Sequence, residues 1–171
     1  MILRKIIFLA FYLVALGIQD TWLPDIAVLG VQPDLLLCAA VFIALWRKPG
    51  YALIMAVLLS LSRDLLLGRY IGLSTLAFVA AVALIIRIGP RFYKENYLVP
   101  VAAVFLGGVI AALTYALGGK LVGMPIALGS YLLTQAMPQA VYSALIAPFL
   151  YVPAYLIFVQ WGSEKIMKNE E

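Results

Sequence analysis

Long apolar runs broken by short clusters of charge set the pattern of this chain, with no sustained alternation of polar and apolar positions that would point to half-buried strands. Reading the apolar runs between the charges predicts helices at 4–18, 26–46, 51–67, 73–88, 97–117 and 138–161. A hydrocarbon core of roughly 30 Å takes about 20 helical residues to cross, so each run has close to the length of one span. The stretch 126–136 is too short to cross and reads as a re-entrant or interfacial segment, with the placement of 118–137 left open. Arg4 and Lys5 followed by the apolar stretch 6–16 also have the form of a signal peptide, with Ala15-Leu16-Gly17 as its cleavage site. Because further apolar runs follow at once, the segment is expected to stay as a first helix.

Composition carries the same message. Hydrophobic residues make up 65% of the chain and charged residues 12%, and the mean hydropathy is +1.07. An ordinary soluble domain has roughly 45–50% apolar and about 25% charged residues, and no soluble core can hide the excess. The expected fold class is therefore an all-α membrane protein of six transmembrane helices forming one integral membrane domain over 1–171, with no room for a separate soluble domain.

The net charge of +4 would fit a nucleic-acid partner only if the basic residues shared a face. They occur instead in ones and twos between apolar runs, which excludes nucleic acid and turns the charge into a report on topology. With the N-terminus inside, Arg4, Lys5, Arg47, Lys48, Arg87, Arg91, Lys94, Lys165 and Lys168 face the cytoplasm and Arg63, Arg69 and Lys120 face outward, nine against three. The positive-inside rule then places both termini of this multi-pass protein in the cytoplasm. Trp46, Tyr51, Tyr93, Tyr97 and Trp161 flank the inward ends and Trp22 and Tyr70 the outward ends, as interfacial anchors do. Small residues four apart at Ala40 and Ala44, Ala77 and Ala81, Gly108 and Ala112, and Ala140 and Ala144 would let helices approach closely.

Candidate chemistry is sparse. There is no histidine, and the lone Cys38 lies in an apolar run, where it reads as a packed small residue. No Ser-His-Asp set, CxxC, phosphate loop or HExxH occurs, so no enzyme activity, cofactor or metal is expected. Ionisable residues inside a span are costly and mark a structural or functional feature. Asp34, Arg63 and Asp64 are such residues, with Ser60 one turn below Asp64 on the same face. Asp34 and Arg63 lie equally far from the middle of the hairpin between the second and third helices, which puts both roughly 20 Å from the turn at 1.5 Å per residue. An Asp34–Arg63 ion pair is expected, in competition with Arg63 extending to the outer interface. Asp34, Arg63, Asp64 and Ser60 together form the expected intramembrane polar cluster, as a structural feature or a partner contact. Pro33 either kinks the second helix or starts it, in which case Asp34 lies in the first turn. The last helix contains Pro138, Pro148 and Pro153 and should be bent, with Gln139 and Ser143 on one polar face available to a neighbouring helix.

The order of these features resembles a known family. Gln32-Pro33-Asp34-Leu35-Leu36-Leu37, a basic turn ending in Gly50, Ser62-Arg63-Asp64-Leu65-Leu66-Leu67-Gly68 and then Gly72-Leu73-Ser74-Thr75-Leu76 are similar to the bacterial rod shape-determining protein MreD, as is Pro138-Gln139-Ala140-Val141-Tyr142 through Ala147-Pro148. The resemblance carries over to Asp34 and Asp64. The sequence departs from the family at Ser74, where asparagine is commoner, and at Arg63, where an apolar or small residue is commoner. What the resemblance implies is a non-enzymatic scaffold or regulatory subunit of the cell-elongation machinery, serving peptidoglycan synthesis and cell shape. Its implied partners are an MreC-like single-pass shape protein, a RodA-like glycosyltransferase with its transpeptidase, and membrane lipid. The resemblance also implies the six-helix fold of the substrate-binding subunits of energy-coupling-factor transporters, and so a second possibility, a vitamin-type small-molecule binding subunit. Those subunits carry an alanine-xxx-alanine element in the first helix, whereas Ala10 and Ala15 here are five apart.

Overall fold

A computed structural model describes residues 17, 27, 30–67, 70–89 and 98–155. Every element among them is helical: α1 (Leu35–Trp46), α2 (Pro49–Leu67), α3 (Leu73–Ile88), α4 (Leu98–Leu121) and α5, which runs from Leu128–Tyr131 through a π-helical stretch, Leu132–Ala136, into Met137–Tyr155. The predicted first helix at 4–18 lies outside the described residues apart from Gly17, which is helical. Residues 156–161 of the predicted last helix also lie outside them.

The predicted helix 26–46 is cut short at its start, because α1 begins only at Leu35. Pro33 has no N–H and disfavours helical geometry in the residue before it. Asp34 is extended, at φ −97° and ψ 92°, and its carboxylate accepts from the Leu37 N–H, so it is the N-cap. Pro33 therefore neither kinks the helix nor occupies its first turn. It sits buried just ahead of the cap.

At 12 residues α1 is about 18 Å long, too short to cross a membrane, and it is the innermost helix. It packs against α2, α3, α4 and α5, and residues 36–38 and 40–44 are all buried. After the Arg47-Lys48 turn, α2 begins at Pro49, where the fixed φ and missing N–H of proline suit a first helical position. Gly72, at φ +97°, turns the chain into α3. α4 has 24 residues and is the one described helix long and apolar enough to cross a membrane by itself.

Helices consecutive in the chain run in opposite directions: Leu73 at the start of α3 lies against Gly118 near the end of α4, whereas Leu45 near the end of α1 lies against Gly89 at the end of α3, so these two, separated by α2, run the same way. Arg47, Lys48 and Arg87 thus gather at one end of the bundle, and Arg63 and Lys120 at the other. At the first end Phe42 and Trp46 pack with Tyr151 and Tyr155 of α5, with ring centroids 5.0 to 6.1 Å apart. Trp46, expected as a lipid-interface anchor, is half-buried in this cluster, whereas Tyr51 and Tyr70 are exposed. Trp22, Tyr93, Tyr97 and Trp161 lie outside the described residues.

The stretch 126–136 is not a separate re-entrant element. Its helical part, from Leu128, continues into α5, and the Met137 N–H bonds the Leu132 carbonyl in the wider π pattern. Pro138 cannot donate to the carbonyl four residues before it, and a π turn immediately upstream relieves that mismatch without ending the helix.

The small residues at four-residue spacing are all buried between helices. A Cβ on Gly108 of α4 would stand 3.1 Å from the Ala140 Cβ and 3.3 Å from its Cα, so α4 and α5 meet almost backbone to backbone. Gly108→Leu should force these helices apart and cost about 2 kcal/mol or more, by analogy with overpacked cores. Gly50→Ala, in α2 where nothing lies within 4 Å, should be neutral or stabilising by up to about 1 kcal/mol. Thermal unfolding of the purified variants would show a lower Tm for the first and none for the second.

Candidate functional site

Asp34 is the meeting point of three helices. Its Oδ1 accepts from the Leu37 N–H at 2.9 Å, capping α1. Its Oδ2 accepts from Arg63 Nη1 of α2 at 2.5 Å, which is the ion pair expected from the hairpin geometry. Its own N–H donates to Ser143 Oγ of α5 at 2.9 Å. Without Ser143 that buried N–H would face apolar surroundings, since the first N–H groups of a helix have no partner within it. Arg63 does not extend outward to the interface. Its guanidinium lies 5.9 Å from the Phe78 ring centroid, held between the carboxylate and an aromatic face, with its side chain 25% exposed.

The four residues expected as one polar cluster divide into separate arrangements. Asp64 turns away from Asp34, and its Oδ2 accepts from the Gly72 N–H at 2.8 Å, the Thr75 N–H at 3.3 Å and the Thr75 hydroxyl at 3.2 Å. The cap position of α3 is a glycine with no side chain to offer, so Asp64 supplies the missing acceptor from across the turn. Ser60 donates to the Ala56 carbonyl of its own helix at 2.6 Å and is fully buried. Its hydroxyl is satisfied locally, as serines within membrane helices often are, and joins neither aspartate.

All five helices border a cavity of about 270 Å³ beside the Asp34–Arg63 pair. Its lining includes the apolar Leu37, Ala77, Phe78, Ala111 and Ala112 and the polar Ser74, Tyr115, Tyr131, Gln135 and Gln139. Both members of the expected last-helix polar face reach this place, with Ser143 tied to Asp34 and Gln139 on the cavity wall. Gln135, Tyr131 and Tyr115 were not anticipated from the sequence. Gln135 could have been, since it lies one turn before Gln139 on the same face of a helix, but 126–136 was read as a separate segment. Cys38 is 1% exposed, with its Sγ 3.9 Å from the Ser143 carbonyl, and serves as a packed small residue. Both oxygens of the Asp34 carboxylate are engaged by donors, an arrangement suited to holding helices in place rather than to accepting a proton from a substrate.

In comparisons with known proteins, a family model described as rod shape-determining protein MreD matches residues 1–160 of the chain. No match was found among curated proteins or among solved structures.

Asp34→Ala removes the α1 cap and the carboxylate that pairs with Arg63 Nη1. A cap is worth about 1 kcal/mol and the unpairing of a buried charge about 3–5 kcal/mol, so a loss of about 3 kcal/mol or more is expected. Asp34→Asn keeps an acceptor for Leu37 and should lose clearly less. Asp34→Lys should lower folded yield, and adding Arg63→Asp should restore only part of it, because lysine cannot accept from the Leu37 N–H. Equal yields of the unaltered protein, Asp34→Lys and the double variant in detergent chromatography would rule out the pairing as a stabilising contact. Asp64→Ala should destabilise by about 1–2 kcal/mol through the α3 start alone, with Asp64→Asn retaining part of that, as read by Tm.

Proposed function

Because this chain belongs to the rod shape-determining protein MreD family, we propose that it is a non-enzymatic membrane scaffold or regulatory subunit of the bacterial cell-elongation machinery. The family is one of shape determination and not a known enzyme family. The match over residues 1–160 is the observation that carries the proposal, since it spans nearly the whole chain and not one short motif.

In this proposal six segments cross the inner membrane, α1 only together with the non-helical residues 31–34 ahead of it, as in the six-helix fold of the substrate-binding subunits of energy-coupling-factor transporters, and both termini face the cytoplasm. The bundle end that holds Arg47, Lys48 and Arg87 faces the cytoplasm, in keeping with the bias of basic residues. The partners are an MreC-like single-pass protein and a RodA-like glycosyltransferase with its transpeptidase. Exposed apolar stripes support such docking: Val141, Leu145, Phe149 and Val152 follow one face of α5, and Ile54, Leu58 and Leu65 one face of α2. Within lipid these faces gain no hydrophobic drive from meeting another helix, so association rests on packing and a few hydrogen bonds. Scaffolding also fits the chemistry of the buried carboxylates, which are engaged in capping and pairing contacts.

The cavity beside Asp34 favours a second reading, the binding subunit of a small-molecule transporter. Affinity purification of the tagged protein from its native membrane in mild detergent, followed by mass spectrometry, separates the two. A single-pass shape protein recovered with a polymerase and a transpeptidase is the expected outcome. Recovery of paired ATPase subunits instead would overturn the scaffold.

A further inference from the structure

We propose that the cavity beside the Asp34–Arg63 pair is a binding site for a neutral group rich in hydroxyls or amides, about the size of one sugar ring. The inference does not depend on which assembly the protein joins. Its volume of about 270 Å³ lies just below the roughly 300–1,000 Å³ of ordinary ligand sites, which limits the occupant to a small group. An acyl chain alone does not suit it. The amides of Gln135 and Gln139 and the hydroxyls of Tyr115 and Tyr131 line the space and make no hydrogen bonds with described residues. Covering them with hydrocarbon would strand donors and acceptors without partners, at a cost that grows as water is excluded.

Charge narrows the class further. Among the described residues the wall carries one cation, Arg63, and one carboxylate, Asp34, and these are bonded to each other. An incoming anion would have to compete for Arg63 with the Asp34 carboxylate, which is 7% exposed and bonded to it. A cation would have to compete with Arg63 for Asp34 in the same way. A neutral ligand with both donors and acceptors satisfies the amides and phenols without breaking the pair. A single sugar ring has this neutral, donor-and-acceptor character. Such a ring arrives either as a free glycoside or as the headgroup of a glycolipid.

The test uses the full-length protein, purified without glycosidic detergent and placed in phospholipid nanodiscs. Saturation-transfer NMR is recorded with methyl β-glucoside as the free ring and octyl β-glucoside, below its micelle concentration, as the lipid-linked one. Transfer from both probes identifies a site for the free ring, and transfer from the octyl form alone identifies a headgroup site; either supports the proposal. Gln135→Ala and Gln139→Ala should each weaken binding about three- to ten-fold, the ordinary yield of one neutral hydrogen bond. Tyr131→Phe, which removes only an oxygen, serves as the variant least able to disturb folding and should weaken binding similarly. Transfer from neither probe, transfer unchanged in all three variants, or tighter binding of glucose 6-phosphate than of methyl β-glucoside would each overturn it.

Discussion

Three helices are held in register by one aspartate, through its carboxylate and its backbone N–H. Asp34 caps α1 through Leu37, pairs with Arg63 of α2, and has its own N–H bonded to Ser143 of α5. A short helix whose N-terminus is buried in an apolar bundle has N–H groups that neither water nor its own turns can satisfy. Placing an aspartate there solves that problem and creates another, a buried negative charge, which Arg63 offsets. The pair is worth little as net stabilisation against an apolar alternative, but each member alone would be expensive. Its effect is to fix the depth of α1 relative to α2 and α5.

With α1 fixed, the other helices can close around it. Ala40, Ala44, Ala77 and Ala81 keep side-chain bulk out of the contacts, and Gly108 lets α4 come against Ala140 of α5. At the opposite end the spacing is set by large residues, the rings of Phe42, Trp46, Tyr151 and Tyr155. The bundle is therefore pinned by aromatic packing at one end and by hydrogen bonds at the other. The cavity lies on the hydrogen-bonded side, where small residues leave space that Leu or Phe would have filled. The π stretch Leu132–Ala136 bears on this directly, since it changes the angular spacing of side chains just where Tyr131, Gln135 and Gln139 line the wall.

Much of this was legible along the chain. The apolar runs determined an all-helical membrane protein, because nothing soluble can bury such a composition. The Asp34–Arg63 contact followed from equal distances to a hairpin turn, because helix rise is constant and a hairpin returns to the same depth. The Pro33-Asp34 pair marked a helix boundary, although residue pattern alone could not choose between a kink and a start, since both satisfy the constraints of proline.

Other features depended on relations between distant segments. That Asp64 caps α3 while its neighbour Arg63 turns to α1 depends on where the start of α3 lies relative to α2, which residue spacing along one helix does not encode. Ser60 shared a face with Asp64 in sequence, yet its hydroxyl bonds its own helix. The joining of 128–136 to the last helix hid Tyr131 and Gln135 from any reading that treated that stretch as separate. Sequence by itself thus determined the class of the protein and the depth of its buried charges, because both follow from hydropathy and constant helix rise. Only the tertiary structure decided which donor each carboxylate meets and that a polar cavity opens beside them, because those depend on how helices rotate about their axes when packed.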